Sequence, residues 1–163
     1  KQSLDVLMNL VDSHDTARAI TVLSGVKPPY SKKDRADFAL SFEQYDLAKR
    51  RLKLASALQY TLPGVPCVFY GDEVGKQGYE DPLNRGTYPW GREDTDLLAH
   101  YRKLGELRHT FATYLQGETH FVPDPDKLVF ERVCMGGVLR VESLGLWLSI
   151  SVNGKSQLEI NNE

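Results

Sequence analysis

The spacing of apolar residues changes twice along this chain, and the changes divide it. Residues 4–11 form a short apolar run ending in Asp12-Ser13-His14-Asp15, which reads as a buried strand passing into a polar loop. Residues 25–37 hold Lys27-Pro28-Pro29 and Lys32-Lys33-Asp34, a composition that predicts a surface excursion. From Ser41 the period becomes helical. Ser41 and Gln44 have the spacing of a capping box. Ala48, Leu52, Ala55 and Leu62 fall near one face, and Leu47, Leu54 and Leu58 widen it. Leu62-Pro63-Gly64 stops the helix.

Val65-Pro66-Cys67-Val68-Phe69-Tyr70 is rich in strand formers, and its proline stands near the start, where a missing N–H does least harm. Between two helices, such a run suits a parallel strand buried on both faces. Residues 71–92 form a long polar loop. A second helix is predicted over residues 95–110, with Leu97, Tyr101, Leu104 and Phe111 on a stripe. Strand, helix, strand, helix is the repeat of an α/β fold.

Past residues 113–117 the period falls to two. Residues 127–134 and 138–143 read as strands linked through Cys134-Met135-Gly136-Gly137. Leu146, Leu148, Ile150 and Val152 then alternate with Trp147, Ser149, Ser151 and Asn153. Asn153-Gly154 is a favourable hairpin turn before residues 157–160. The tail is therefore expected to be antiparallel β, a small sandwich or part of one.

Composition adds limits. A length of 163 residues suits one domain or pieces of two. A net charge of −2 without a long basic run argues against nucleic acid and charged membrane surfaces as partners. No apolar stretch is long enough to span a bilayer. Cys67 and Cys134 do not make a disulfide framework, and Cys67, in an apolar run, reads as a reduced buried thiol. The chain starts at Lys1-Gln2, without an initiator Met, and enters a strand pattern at once. That is expected of a longer protein cut upstream, with any localisation signal lost, so the compartment stays unassigned.

Candidate chemistry lies in the loops. His14-Asp15 just past a strand would stand at that strand's C-terminal end, the rim that carries active sites in barrels of alternating strands and helices. The alternative is a turn cap with a satisfied loop histidine. Asp72 and Glu73 are adjacent, and neighbours on an extended chain point in opposite directions. They therefore do not suit the paired carboxyls of a retaining glycosidase, about 5 Å apart, and read as structural. Asp81 and Arg85 could form an ordinary loop salt bridge. Tyr79, Tyr88 and Trp90 share their loop.

Three segments together carry a family resemblance. Residues 62–75, LPGVPCVFYGDEVG, closely resemble the last barrel strand and following loop of the α-amylase superfamily. Asn9-Leu10-Val11-Asp12-Ser13-His14-Asp15-Thr16 resembles its strand-seven motif. Asp81-Pro82-Leu83-Asn84-Arg85 resembles the Asp-Pro-x-x-Arg element of the neopullulanase, cyclomaltodextrinase and amylopullulanase branch. Order and separation fit over residues 4–112, and more loosely in the β tail.

The resemblance implies an α/β fold: the last two β/α units of a (β/α)8 TIM barrel in residues 1–113, then an antiparallel β-sandwich-like domain in 114–163. It implies a part of a retaining hydrolase of starch, pullulan or maltodextrin, acting on α-1,4 bonds and leaving room for α-1,6 bonds. Asp15 would be the carboxylate that stabilises the transition state, bonding sugar hydroxyls that tighten as the ring flattens. His14 would bind the same sugar, Asp81 and Arg85 the next glucose units, and Tyr79, Tyr88 and Trp90 could stack on sugar faces.

The nucleophile Asp and acid/base Glu would lie upstream of Lys1, so this chain alone is expected to be inactive. No cofactor is expected, and the resemblance leaves room for structural calcium in a longer parent. The rest of the barrel is the expected partner. Without it a quarter barrel exposes an edge and an apolar face, which predicts marginal stability or self-association. Two rivals stand beside this reading. One is a non-catalytic carbohydrate-binding or interaction module of the same descent. The other is a metal-dependent phosphohydrolase on a helical His-Asp dyad that recruits His100, His109 and His120, of which His100 and His109 are expected on or near outer, solvated helix faces.

Overall fold

A computed structural model describes residues 4–161; Lys1 and Gln2, on which the expectation of an upstream cut partly rests, lie outside the described residues. The elements in order are β1 (Met8–Asn9), α1 (Ala19–Leu23), α2 (Lys32–Ala36), α3 (Phe42–Thr61), β2 (Val65–Pro66), α4 (Thr95–Thr110), α5 (Ala112–Leu115), β3 (Glu118–Phe121), β4 (Leu128–Cys134), β5 (Gly137–Leu144), β6 (Trp147–Val152) and β7 (Lys155–Ile160).

β1 and β2 are parallel neighbours, with Met8 opposite Val65 and Asn9 opposite Pro66. The ladder is only two residues long, and the expected burial of residues 4–11 fails. Val6 is 74% exposed and Met8 66%, and Leu4, Leu7 and Leu10 are also open. A parallel strand is buried by what flanks it, and here a single strand flanks β1. Two strands do not make a barrel.

Buried polar groups hold this short ladder. The Gln59 amide, from the core face of α3, donates to the carbonyls of Asn9 (2.8 Å) and Cys67 (2.9 Å). The Asn9 amide donates in return to the carbonyls of Gln59 and Pro63. The chain reverses at Gly64, whose φ of +112° favours glycine, and an added Cβ there would meet Asn9 Oδ1 and the Leu7 carbonyl at 2.7 Å.

α3 begins with the predicted capping box: Ser41 Oγ accepts from the Gln44 N–H and Gln44 returns the bond to the Ser41 N–H. Its buried face includes Ala48, Leu52 and Ala57, but also Ser56, Gln59 and Thr61. Ala55, expected on that face, is half-buried. α4 follows its predicted bounds and is capped by Asp94, which accepts from the N–H groups of Asp96 and Leu97. Ala19 and Ile20 of α1 pack with Ala48 and Leu52 of α3 and with Leu97 and Tyr101 of α4.

The C-terminal strands form one antiparallel sheet in the order β3-β4-β5-β6-β7. Of the expected sandwich or part of one, the described residues show this one antiparallel sheet, and α3, α4 and α5 cover its inner face. Phe130, Leu139, Val141, Leu148 and Ile150 share a core with Ala57, Leu104, Leu107 and Leu115. The outer face carries an ionic cluster, in which Arg140 meets Glu131 at 2.6 Å and Glu142 at 2.8 Å. Asn153 (φ 49°) and Gly154 (φ 77°) make the predicted β6–β7 turn. β3 escaped the pattern because its residues are mostly exposed. Leu146 belongs to the turn before β6, not to the strand.

Candidate functional site

The loop after β1 and the long loop after β2 meet side by side, because their parent strands are parallel neighbours and the loops leave from the same end. His14 and Asp15 stand in a turn stabilised by Ser13, whose Oγ accepts from the Asp15 N–H, and by Thr16, whose Oγ1 accepts from the Ser13 N–H. Asp81 precedes, and Arg85 ends, a single 3-10 turn over Leu83–Arg85.

The two pairs are brought together. Arg85 Nε lies 2.7 Å from Asp81 Oδ1, and its NH2 lies 3.6 Å from Asp15 Oδ1. Asp15 Oδ2 lies 3.4 Å from His14 Nε2. Arg85 Nε also donates to the His14 carbonyl at 3.2 Å. All four side chains are open to solvent. A guanidinium between two carboxylates, with an imidazole beside one of them, presents donors and acceptors to a polyhydroxylated ligand. Charged partners strengthen bonds to neutral hydroxyls.

Beneath this surface is a buried polar layer that the sequence did not announce. Asn84, fully buried, donates its amide to the carbonyls of His14 (2.8 Å) and Thr16 (2.7 Å), which straddle Asp15. Arg18, equally buried, donates to the carbonyls of Asn84 (2.8 Å) and Tyr70 (2.6 Å). Its guanidinium faces Asp72 Oδ1 at 3.4 Å and lies 3.9 Å from the Phe69 ring centroid. A charge inside Ala17-Arg18-Ala19-Ile20 was the available signal for Arg18; Asn84 had none.

Asp72 is 1% exposed. Burial and the neighbouring Asp12 carboxyl push its own carboxyl well above the usual range, against the pull of Arg18. The structural reading of Asp72 agrees with this placement. Glu73 turns back to accept from the Gly71 N–H.

The aromatic candidates separate. Tyr79 is buried, its ring 5.5 Å from that of Phe38, so it packs locally and offers no face to a sugar. Trp90 is 80% exposed and pairs with Tyr88 at 4.5 Å between centroids, leaving an open aromatic surface.

His100 corrects the expectation of an outward face. It is buried between α3 and α4, its Nε2 2.9 Å from Ser56 Oγ, and desolvation pulls its pKa down to about 4. His120 stands on β3, 3.9 Å from Glu118. His14-Asp15 is not helical and these histidines are dispersed, so the phosphohydrolase reading has no constellation. Among the described residues no three His, Cys, Asp or Glu side chains are grouped to hold a metal ion. The buried carboxyl of Asp72 faces Arg18 instead, and that of Asp12 accepts from the Ala19 N–H.

No family model matches the chain. Individual proteins do. An amylopullulanase from Thermoanaerobacter thermohydrosulfuricus is 46% identical over 102 residues, covering 63% of this chain and 6% of that protein. A cyclomaltodextrinase from a Bacillus species is 36% identical over 124 residues, covering 75% and 18%. Among solved structures, the type III pullulan hydrolase from Thermococcus kodakarensis superposes with a TM-score of 0.68 at 30% identity, covering 86% of this chain and 23% of that one. A cyclomaltodextrinase gives 0.65 at 31%, covering 85% and 21%. The chain thus spans less than a fifth of the length of the curated relatives named here. By sequence and by fold it is a homologue of amylopullulanase, cyclomaltodextrinase and neopullulanase-type proteins of the α-amylase family, matching their C-terminal region.

Proposed function

We propose that this chain supplies part of the sugar site of an α-glucan-acting retaining glycoside hydrolase. In this reading β1 and β2 with their helices are the last two units of a (β/α)8 barrel. The exposed apolar residues Leu4, Val6, Met8 and Val65 are the surface that the remaining strands cover. The observation that carries the reading is the convergence of His14, Asp15, Asp81 and Arg85 on one rim, with salt-bridge distances of 2.7–3.6 Å. The names of the relatives, among them amylopullulanase and cyclomaltodextrinase, support the substrate class.

The mechanism follows from charge. As a glycosidic bond breaks, the ring flattens and gains positive character. Asp15 accepts hydrogen bonds from hydroxyls of that sugar and brings a negative charge beside it, so its bonds tighten toward the transition state. His14 Nε2 donates to the same sugar. Arg85, tied to Asp81, holds both Asp15 and the next glucose unit in place, and Trp90 with Tyr88 offers an apolar face to a neighbouring ring. Asp12 and Asp72 are buried beneath this rim and Asp81 is held by Arg85, so in this reading none of them serves as nucleophile or proton donor. The chain by itself therefore gives no turnover on maltodextrin or pullulan.

The test is Asp15→Asn in a full-length protein that contains this segment. Turnover should fall about 10²-fold or more with little change in thermal stability. Unchanged turnover on soluble starch, pullulan and cyclomaltodextrins would remove Asp15 from the chemistry and leave a carbohydrate-binding module as the better account.

A further inference from the structure

Asp12 and Asp72 have no place in the sugar site, yet they frame the loop that carries it. Asp12 stands just before His14 and Asp15, and is 6% exposed; Asp72 follows β2 and is 1% exposed. Asp12 Oδ2 accepts from the Ala19 N–H at 2.7 Å, closing the loop's two ends on each other. Asp72 Oδ1 faces Arg18 NH1, at the loop's far end, at 3.4 Å. Anchored on the adjacent residues Ala19 and Arg18, the two carboxyls lie close enough to act on each other, and the remaining oxygens, Asp12 Oδ1 and Asp72 Oδ2, are both buried without a donor.

Two ionised carboxylates side by side, away from water and with one guanidinium beside Asp72, would leave a buried charge uncompensated. One proton removes that charge and supplies a donor between the carboxyls. We propose that Asp12 and Asp72 share a single proton at neutral pH, with Asp72 as the acid, and that the pair is a positioning device fixing both ends of the His14-Asp15 loop to the loop after β2.

The surroundings agree. Desolvation and Asp12 favour the neutral form of Asp72, and Arg18 opposes it. From α4 the buried Tyr101 phenol lies near both carboxyls and beside Ser56. Lys76, in the loop after β2, feels Arg18. Asn84 fixes the middle of the same loop, so the backbone around Asp15 is held at its start, centre and end. The value of that rigidity for catalysis rests on the sugar-site reading above; the shared proton does not.

The experiment is a carboxyl ¹³C NMR titration of the 163-residue chain. The expected result is one proton retained by the pair at neutral pH and released only under alkaline conditions, with Asp15 and His14 resonances moving in step. Two carboxyls that both ionise in the ordinary range would overturn the shared proton. A titration that leaves Asp15 and His14 unmoved would overturn the positioning role.

Asp72→Asn gives a second reading, because the amide copies the neutral acid, donating to Asp12 and accepting from Arg18. The folded chain keeps a proton that the unfolded chain has released, so stability must fall as pH rises until Asp72 ionises in the fold as well. The midpoint temperature of the unsubstituted chain should therefore drop from about pH 7 to about pH 9, and that of Asp72→Asn should lack this drop. Parallel profiles would overturn the proposal. Should the variant not fold, the NMR titration of the natural chain decides alone. Neither measurement involves a glucan, so this inference and the glycosidase reading fail separately.

Discussion

In the five-stranded sheet Leu139, Val141, Leu148 and Ile150 are wholly shielded from solvent, whereas around the β1–β2 ladder Val6, Met8 and Val65 lie open. Both regions are apolar in sequence. They differ in how a strand finds cover. Each strand of the antiparallel sheet pairs with one a few residues away, and the helices that close its inner face precede it in the same chain. A parallel ladder depends on strands and helices distant in sequence. The same kind of residue is therefore core in one region and surface in the other.

Substitutions can sharpen that contrast. The largest loss is expected at Arg132, which is buried in the sheet's inner face and donates to the carbonyls of Thr61, Leu115 and Gly117. Arg132→Met strands those acceptors where α3, α5 and the sheet join, and should cost about 3–5 kcal/mol in urea unfolding. Leu148→Ala should cost about 2–5 kcal/mol by opening a cavity. Met8→Ser, made in the open ladder, should stay within about 0.5 kcal/mol. Equal losses at Leu148 and Met8 would mean that β1 is covered in solution, for instance by a second copy.

Acid should act on the α3–α4 interface. His100 is neutral in the fold and its pKa is depressed to about 4, so the unfolded chain binds the proton more readily. Its contribution is complete above about pH 6.5 and is lost as pH falls toward about 4, a change on the order of 3 kcal/mol. His100→Gln should remove this acid sensitivity relative to the natural chain in thermal melts at several pH values. A smaller effect than that of His100 is expected at the exposed cap of α3. Ser41→Ala should lower stability by about 1 kcal/mol, measurable by the same melts.

Much of the fold was legible because local chemistry set it. Ser41 and Gln44 marked the start of α3, Pro63 and Gly64 its end, and Asn153-Gly154 the last hairpin turn, each through bonds or backbone angles confined to a few residues. Alternation marked Leu148, Ile150 and Val152 as inward-facing. Alternation cannot say what lies opposite, so it did not show that α3, α4 and α5 would cover this face. The stripe on α4 did not show that His100 would meet Ser56 across the interface, because that bond belongs to two helices.

At the site, the sequence by itself pointed to two loops after two neighbouring strands and to the candidate residues on them. It named His14, Asp15, Asp81 and Arg85, all of which converge. Only the tertiary structure decided that Asn84 and Arg18 hold these loops from below, that Tyr79 turns inward while Trp90 stays open, and that Asp12 meets Asp72. The physical reason is separation along the chain. A turn or a cap is settled among adjacent residues, but a buried polar group takes its role from whichever distant partner satisfies it, and that partner is chosen only when the loops are packed.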